Sequence, residues 1–212
     1  YHLKAAIMEL GPSGYPFEKF IGEILKQLGY DVEVGKIVRG RCVKHEIDVI
    51  AQKGKHHFMI ECKYHNEPGV FSDVKVPLYI QARFKDIESE WTLIPGHENK
   101  FHQAWVVTNT RFSTDALQYG TCAGLKMLSW DYPAKDSLKD LIDNMGLYPL
   151  TCLTTLTKAE KKTLLDNGSI LCKEISSDPR LLEKAGVKKD RINAVLEESH
   201  QLCNKSTKGG KY

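Results

Sequence analysis

His45-Glu46-Ile47-Asp48-Val49-Ile50-Ala51, a Lys53-Gly54-Lys55 turn, and His56-His57-Phe58-Met59-Ile60-Glu61-Cys62-Lys63-Tyr64 form the stretch on which the reading of this chain rests. Side chains alternate across a strand, so Val43, His45, Ile47, Val49 and Ala51 fall on one face and Glu46, Asp48 and Ile50 on the other. In the second run Phe58, Ile60, Cys62 and Tyr64 oppose His57, Met59, Glu61 and Lys63. Two such runs joined by a short Gly-containing turn predict an antiparallel hairpin. Any pairing in which partner numbers sum to an odd value sets Asp48 opposite residue 59, 61 or 63, on the face that carries Glu61 and Lys63.

Two carboxylates on adjacent strands can share one hard divalent cation through oxygen. Without a cation between them they raise each other's pKa. A bound cation lowers the pKa of a coordinated water, and Lys63 beside it can polarise that water or neutralise phosphate charge. Solvated polar residues linked by a cross-strand salt bridge give the same pattern, so the hairpin alone leaves both readings open.

Upstream, residues 1–10 carry Leu3, Ile7 and Leu10 at helical spacing, and Gly11-Pro12-Ser13-Gly14 stops them. A second helix is predicted from about Pro16 to Gly29, with Phe17, Phe20, Ile21, Ile24, Leu25 and Leu28 as its apolar stripe. At 100° per residue Glu18 lies at the border of that stripe, able to reach over the sheet, while Glu23 points nearly opposite. Val32 and Val34 suggest a first short strand.

Downstream, a helix is predicted over about 72–91, with Gln81 flanking its stripe. Pro95-Gly96 begins a loop, and Ala104 to Thr108 reads as a strand buried on both faces. Then come a helix over about 113–123, a strand from Leu125 to Trp130, and a helix over about 137–145 ended by Gly146. This order predicts an α/β fold with a mixed central sheet flanked by helices. After Pro149 only short helices follow: one opened by a Thr157–Glu160 capping box and closed by Gly168, one from Asp178-Pro179 to Gly186, and one over 188–203. The expected organisation is a linker or remnant of an upstream domain at 1–14, an α/β domain at 15–149, a small all-α domain at 150–203 and a disordered tail at 204–212.

The 212 residues are 42% apolar and 27% charged, as in ordinary globular proteins. No run approaches a membrane helix, and no signal peptide is visible. Six scattered cysteines without a Cys-x-x-Cys pair argue against a disulfide framework or a zinc ribbon and suggest a cytoplasmic protein with reduced thiols. His56, His57, His97 and His102 read as surface residues. The formal charge of +3 is divided unevenly, 18 basic against 19 acidic residues in 1–149 and 12 against 8 in 150–212. The tail region could therefore help hold phosphate or be no more than a solvated helical surface. The helices at 150–203 distantly resemble a helix-hairpin-helix module, whose Ala185-Gly186-Val187 turn, with Lys188, Lys189 and Arg191, would meet the DNA backbone; a plain packing bundle is the alternative.

Phe17-Glu18, His45-Glu46-Ile47-Asp48-Val49, Ile60-Glu61-Cys62-Lys63-Tyr64, Gln81-Ala82 and Val107-Thr108-Asn109-Thr110-Arg111-Phe112-Ser113 with Ala116 occur in that order. Together, over about residues 15–132, they resemble the Mrr-like restriction endonuclease catalytic domain, a branch of the PD-(D/E)xK nuclease superfamily that also includes archaeal-type Holliday-junction resolvases. The resemblance implies the restriction-endonuclease-like fold and hydrolysis of DNA phosphodiester bonds with Mg2+, for which Mn2+ can substitute. It implies Asp48, Glu61 and the backbone carbonyl of Cys62 as metal ligands, Lys63 at the attacking water, Glu18 at the metal or its water shell, and Gln81 lining the site. Ile47 stands where the superfamily's nominal Pro would be, and Glu61 where some Mrr members have Gln. Alternatives kept beside it are a branched-DNA resolvase and a non-cleaving DNA-binding or sensor module. DNA is the implied partner, and a homodimer stays open. Residues 1–16, especially Met8 to Pro16, resemble the segment that joins an ATP-cone domain to such a nuclease, so nucleotide is expected to act only through a domain outside this chain.

Overall fold

The computed structural model describes residues 3–91, 93 and 101–205. The chain runs through α1 (Leu3–Met8), α2 (Tyr15–Gln27), β1 (Asp31–Arg39), β2 (Lys44–Lys53), β3 (His56–Lys63), β4 (Phe71–Ser72) and α3 (Lys75–Trp91). It continues through β5 (Phe101–Thr108), β6 (Arg111–Phe112), α4 (Thr114–Cys122), β7 (Lys126–Leu128) and α5 (Leu138–Met145). A 3-10 turn (Leu150–Cys152) then leads to α6 (Lys158–Asp166), α7 (Cys172–Ser177), α8 (Arg180–Lys184) and α9 (Lys189–Lys205).

The main sheet has the order β1-β2-β3-β5-β7. The β1-β2 and β2-β3 pairs are antiparallel, and the β3-β5 and β5-β7 pairs are parallel, which makes the mixed sheet expected of the α/β reading. A second sheet of two short parallel strands, β4 and β6, was not foreseen; Phe71 and Ser72 belong to it, and α3 starts only at Lys75. β1 is also longer than the short strand expected. Pro95, Gly96 and His97 lie outside the described residues.

Helix ends follow the local chemistry. Ser113 caps α4 by accepting from Ala116 N–H, and Ser137 with Asp140 and Thr157 with Glu160 form reciprocal capping boxes on α5 and α6. Gly146 closes α5 at φ 64°, a conformation in which a side chain would be strained.

The sheet divides two hydrophobic clusters. One gathers α1, α2, the Val49, Ala51 and Ile60 face and the C-terminal helices, including Leu150, Leu153, Leu164, Leu171, Ile175, Val195 and Leu202. The other packs α3 and α4 against Ile50, Met59, Ala104 and Val106. Ile47 joins this second cluster instead of lying with Val49 and Ala51 as strict alternation predicts. The slip falls at Asp48, just where the β2-β3 pairing ends with Val49↔Ile60, so β2 is no longer held flat there.

Before Tyr15, Leu3, Ala6, Ile7 and Leu10 are buried, and Thr151 Oγ1 donates to Ala6 O at 2.6 Å. Residues 150–205 likewise share the first cluster with the sheet and α2. His57 corrects the reading of the histidines as surface residues, since it is half-buried with ring contacts to Trp91 and Phe101. The helix α7 was missed entirely, and Asn204 and Lys205, assigned to a disordered tail, continue α9.

Candidate active site

β2 and β3 deliver the acidic face. The β2-β3 pairing ends at Val49↔Ile60, one residue short of Asp48 and Glu61. There the ladder gives way to a side-chain bond, with Cys62 N–H donating to Asp48 Oδ2 at 2.7 Å. Lys63, next on the Glu61 face, is exposed at the end of β3. Glu61 is 6% exposed, unusual for a carboxylate that no fold-stabilising helix cap requires. Glu61, Cys62 and Lys63 line a small cavity of about 220 Å3 with Tyr79, Ile80 and Val106.

The chain leaving β3 is fixed on both sides. Buried Asn109 accepts from His65 N–H at 2.8 Å and donates to His65 O at 2.7 Å. Tyr64 OH donates to Met8 O and accepts from Gly11 N–H at 2.8 Å, so a side chain at Gly11 would collide with the Tyr64 ring. These bonds give physical content to the Val107–Ser113 motif and to the Gly11 stop: both hold the strand that carries Glu61 and Lys63.

Three carboxylates face one another electrostatically. Burial, then Asp48, raises Glu61 to about 8 against the pull of Arg83. Burial, then Asp48 and Glu46, raises Glu18 to about 7. Asp48 is raised chiefly by burial, offset in part by the Cys62 N–H bond and Arg83. Glu18 thus belongs with Asp48 and Glu61, while Glu23 turns outward and pairs with Lys26 at 2.7 Å. The Cys62 thiol packs against the first cluster and is pushed well up by burial, which makes it no nucleophile.

Sequence reading missed Arg83. Its Nη1 donates to Glu61 Oε2 and its Nη2 to Glu46 O, bridging the two strands from α3. Its Nε reaches His45 Nδ1 at 3.4 Å, and His45 Nε2 meets Asp86 Oδ2 at 2.7 Å. The available signal was the spacing of Arg83 three residues after Ile80 on the buried side of α3. Gln81 is half-buried on α3, and its Oε1 has no partner among the described residues.

Glu61 Oε1 is likewise buried without a partner, while Arg83 takes Oε2. An unpartnered buried carboxylate oxygen beside a second and a third carboxylate fits a hard divalent cation, whose ligands are oxygen atoms. Among the described residues no group of three His, Cys, Asp or Glu side chains is placed so that it could hold a metal ion. The fit therefore rests on donor chemistry. The Cys62 backbone is placed through its N–H on Asp48.

Of the phosphate candidates, Lys188 and Lys189 are exposed at the start of α9. Arg191 is committed to the fold: it pairs with Glu160 at 2.6 Å and donates to Thr155 O, tying α9 to the capping box of α6.

A family model described as a restriction endonuclease, of the Mrr catalytic type, matches residues 11–132. The chain belongs to the restriction endonuclease family. Its match spans every element that carries Glu18, Asp48, Glu61, Lys63, Gln81 and Arg83. A second model, described as AF1548-like, C-terminal, matches residues 148–203. An uncharacterized protein of Archaeoglobus fulgidus is 33% identical over 183 residues, covering 86% of this chain and 99% of that protein. The crystal structure of a protein of unknown function, AF1548, superposes with a TM-score of 0.75 at 32% identity, covering 92% of this chain and 100% of the other. This restriction endonuclease family member thus shares both its nuclease portion and its helical C-terminal portion with the archaeal protein. Among the described residues no helix is long and apolar enough to cross a membrane.

Proposed function

We propose that the chain is a divalent-metal-dependent DNA endonuclease that hydrolyses phosphodiester bonds with Mg2+, or with Mn2+ in its place. One observation carries the reading: Glu61, buried and raised to about 8, keeps one carboxylate oxygen unpartnered next to Asp48. As mere structure that arrangement is costly, since each desolvated carboxylate disfavours the charge of the other. Asp48 and Glu61 would hold the cation with the Cys62 carbonyl, and Glu18 would hold its water shell. When bound, the cation supplies a lower pKa for its water and charge stabilisation at phosphate. Lys63 sits at the exposed end of the same face, where its ammonium can orient the attacking water and offset phosphate charge. Gln81 would line the site, and Lys188 and Lys189 would add backbone contacts.

Whether the preferred DNA is linear or branched is a matter of the surface around this centre, not of the fold. The likeness of residues 1–16 to an ATP-cone joining segment supports nucleotide control through a domain beyond this chain. The test is cleavage of plasmid, linear, methylated and four-way-junction DNA with Mg2+, Mn2+ or chelator. Asp48→Asn and Lys63→Ala should lose cleavage while melting as the wild type does. Cleavage that survives in excess chelator, or in a folded Asp48→Asn protein, sinks the proposal.

A further inference from the structure

The charge of the nuclease portion is not spread evenly. Between Glu33 and Glu46 there is no acidic residue, yet Lys36, Arg39, Arg41 and Lys44 fall there; the rest of 1–149 carries 14 basic against 19 acidic residues. These four lie on the end of β1, the turn to β2 and the first residue of β2. The turn is at the end of the sheet where β2 begins and β3 ends, which is the end that carries Asp48 and Glu61. Asp48 is four residues past Lys44, roughly 13 Å along a strand, or about four base-pair steps of a duplex.

The turn is also held rigidly. Gly40 N–H donates to Val43 O at 2.8 Å, closing it. Asp86 on α3 accepts from Cys42 N–H at 2.8 Å and from Val43 N–H at 3.3 Å, and Arg41 N–H donates to Asp86 O at 3.0 Å. At Gly40 an added Cβ would sit 2.1 Å from Asp86 Oδ2, so the carboxylate packs directly on the glycine backbone. The backbone is thus pinned while the basic side chains stay out in water. The Arg39 side chain is 74% exposed with Glu90 3.7 Å away, and among the described residues no carboxylate pairs with Arg41 or Lys44. Lys36 is engaged by Glu33 at 2.6 Å. A preorganised turn carrying unpaired cations is suited to phosphate, because little freedom is lost on contact.

We propose that the β1-β2 turn, through Arg41 and Lys44 with Arg39 beside them, is a DNA-backbone contact that seats the duplex against the Asp48 and Glu61 face. The proposal rests on the nuclease reading and adds to it the surface that presents substrate. It also joins that surface to the site: Asp86 pins the turn and meets His45, His45 meets Arg83, and Arg83 holds Glu61. The contact is to phosphate, so it positions the duplex without reading its sequence.

The experiment measures binding by fluorescence anisotropy on a duplex of about 20 base pairs, between about 50 and 200 mM salt, in an Asp48→Asn background that keeps the DNA intact. Arg41→Ala/Lys44→Ala should weaken binding at least tenfold at the low-salt end and lower the salt slope by about 1.8, two phosphate contacts at about 0.9 each. Lys158→Ala/Lys162→Ala removes the same charge from α6 and serves as control, and melting curves verify folding of all variants. A larger loss in the turn variant than in the control, on duplexes of unrelated sequence, supports the interface. Equal losses, or an unchanged slope in the turn variant, overturn it and leave the nuclease reading standing. Absence of DNA binding by the parent protein overturns both.

Discussion

Binding of Mn2+ to the protein should release protons, in a number fixed by the raised carboxyls. Metal ligands act in their ionised form, so a carboxyl that is protonated beforehand must lose its proton. With Glu61 at about 8 and Glu18 at about 7, close to two protons should leave per ion at about pH 6, and about 0.6 at about pH 8. The same linkage makes Mn2+ binding about 500-fold weaker at the lower pH, and the upward shift of Asp48 adds to this. Affinity therefore rises with pH. For the metal-free fold the sign is reversed: a folded-state carboxyl pKa raised above about 4.5 contributes stability fully present below that pH and lost as pH climbs through about 7 to 8. Titration calorimetry in two buffers of different ionisation enthalpy counts the protons directly. Glu61→Gln and Glu18→Gln should each remove about one from the count at about pH 6. Release of less than half a proton there, or affinities within tenfold of each other at the two pH values, refutes the coupled-carboxylate reasoning.

Two further outcomes follow from packing. Arg83→Met and Arg83→Lys should each lower kcat for DNA cleavage by about 10- to 100-fold with little change in KM, because Lys keeps the charge but cannot bridge Glu61 and Glu46 O at once. A Lys variant within twofold of wild type would reduce Arg83 to a counter-charge. Ending the chain at residue 149 removes Leu150, Leu153, Leu164, Leu171 and Ile175 from the shared cluster, each stabilising by about 1.5–3 kcal/mol against a net stability of about 5–15 kcal/mol. Circular dichroism should then show no cooperative melt, and a transition near that of the full chain would make the helices an independent unit.

Strand alternation, a local signal, groups Asp48, Glu61 and Lys63, but the slip at Asp48 depends on where the β2-β3 pairing ends, which alternation does not show. Capped helices were legible for the same local reason, Ser137, Thr157 and Gly146 each doing chemistry within one turn. Arg83 was hidden because its function arises where α3 lies across β2 and β3, and a helical stripe says which side is buried but not what it meets. The α7 helix lacks a capping side chain at Leu171 and is only six residues long, and the strands β4 and β6 have two residues each, too short for a period. The change of character after Pro149 was visible in the sequence, but apolar residues do not name their partners, and these pack in the cluster under the sheet. The basic turn escaped because a charge count over 149 residues averages it away.

β1 lies at the margin of the sheet, and among the described residues no strand pairs with its outer side, the situation in which stray strands add on and proteins aggregate. This strand is defended. Gly35, at φ 68°, breaks its extended line between Val34↔Val49 and Lys36↔Ile47, and Asp31, Glu33, Lys36 and Arg39 all stand exposed along it. An incoming strand would have to match a kinked template and bury charges of both signs. A self-associated form of this protein would consequently join through some other face, and the chain should stay dispersed at concentrations where a flat, apolar margin would seed fibrils.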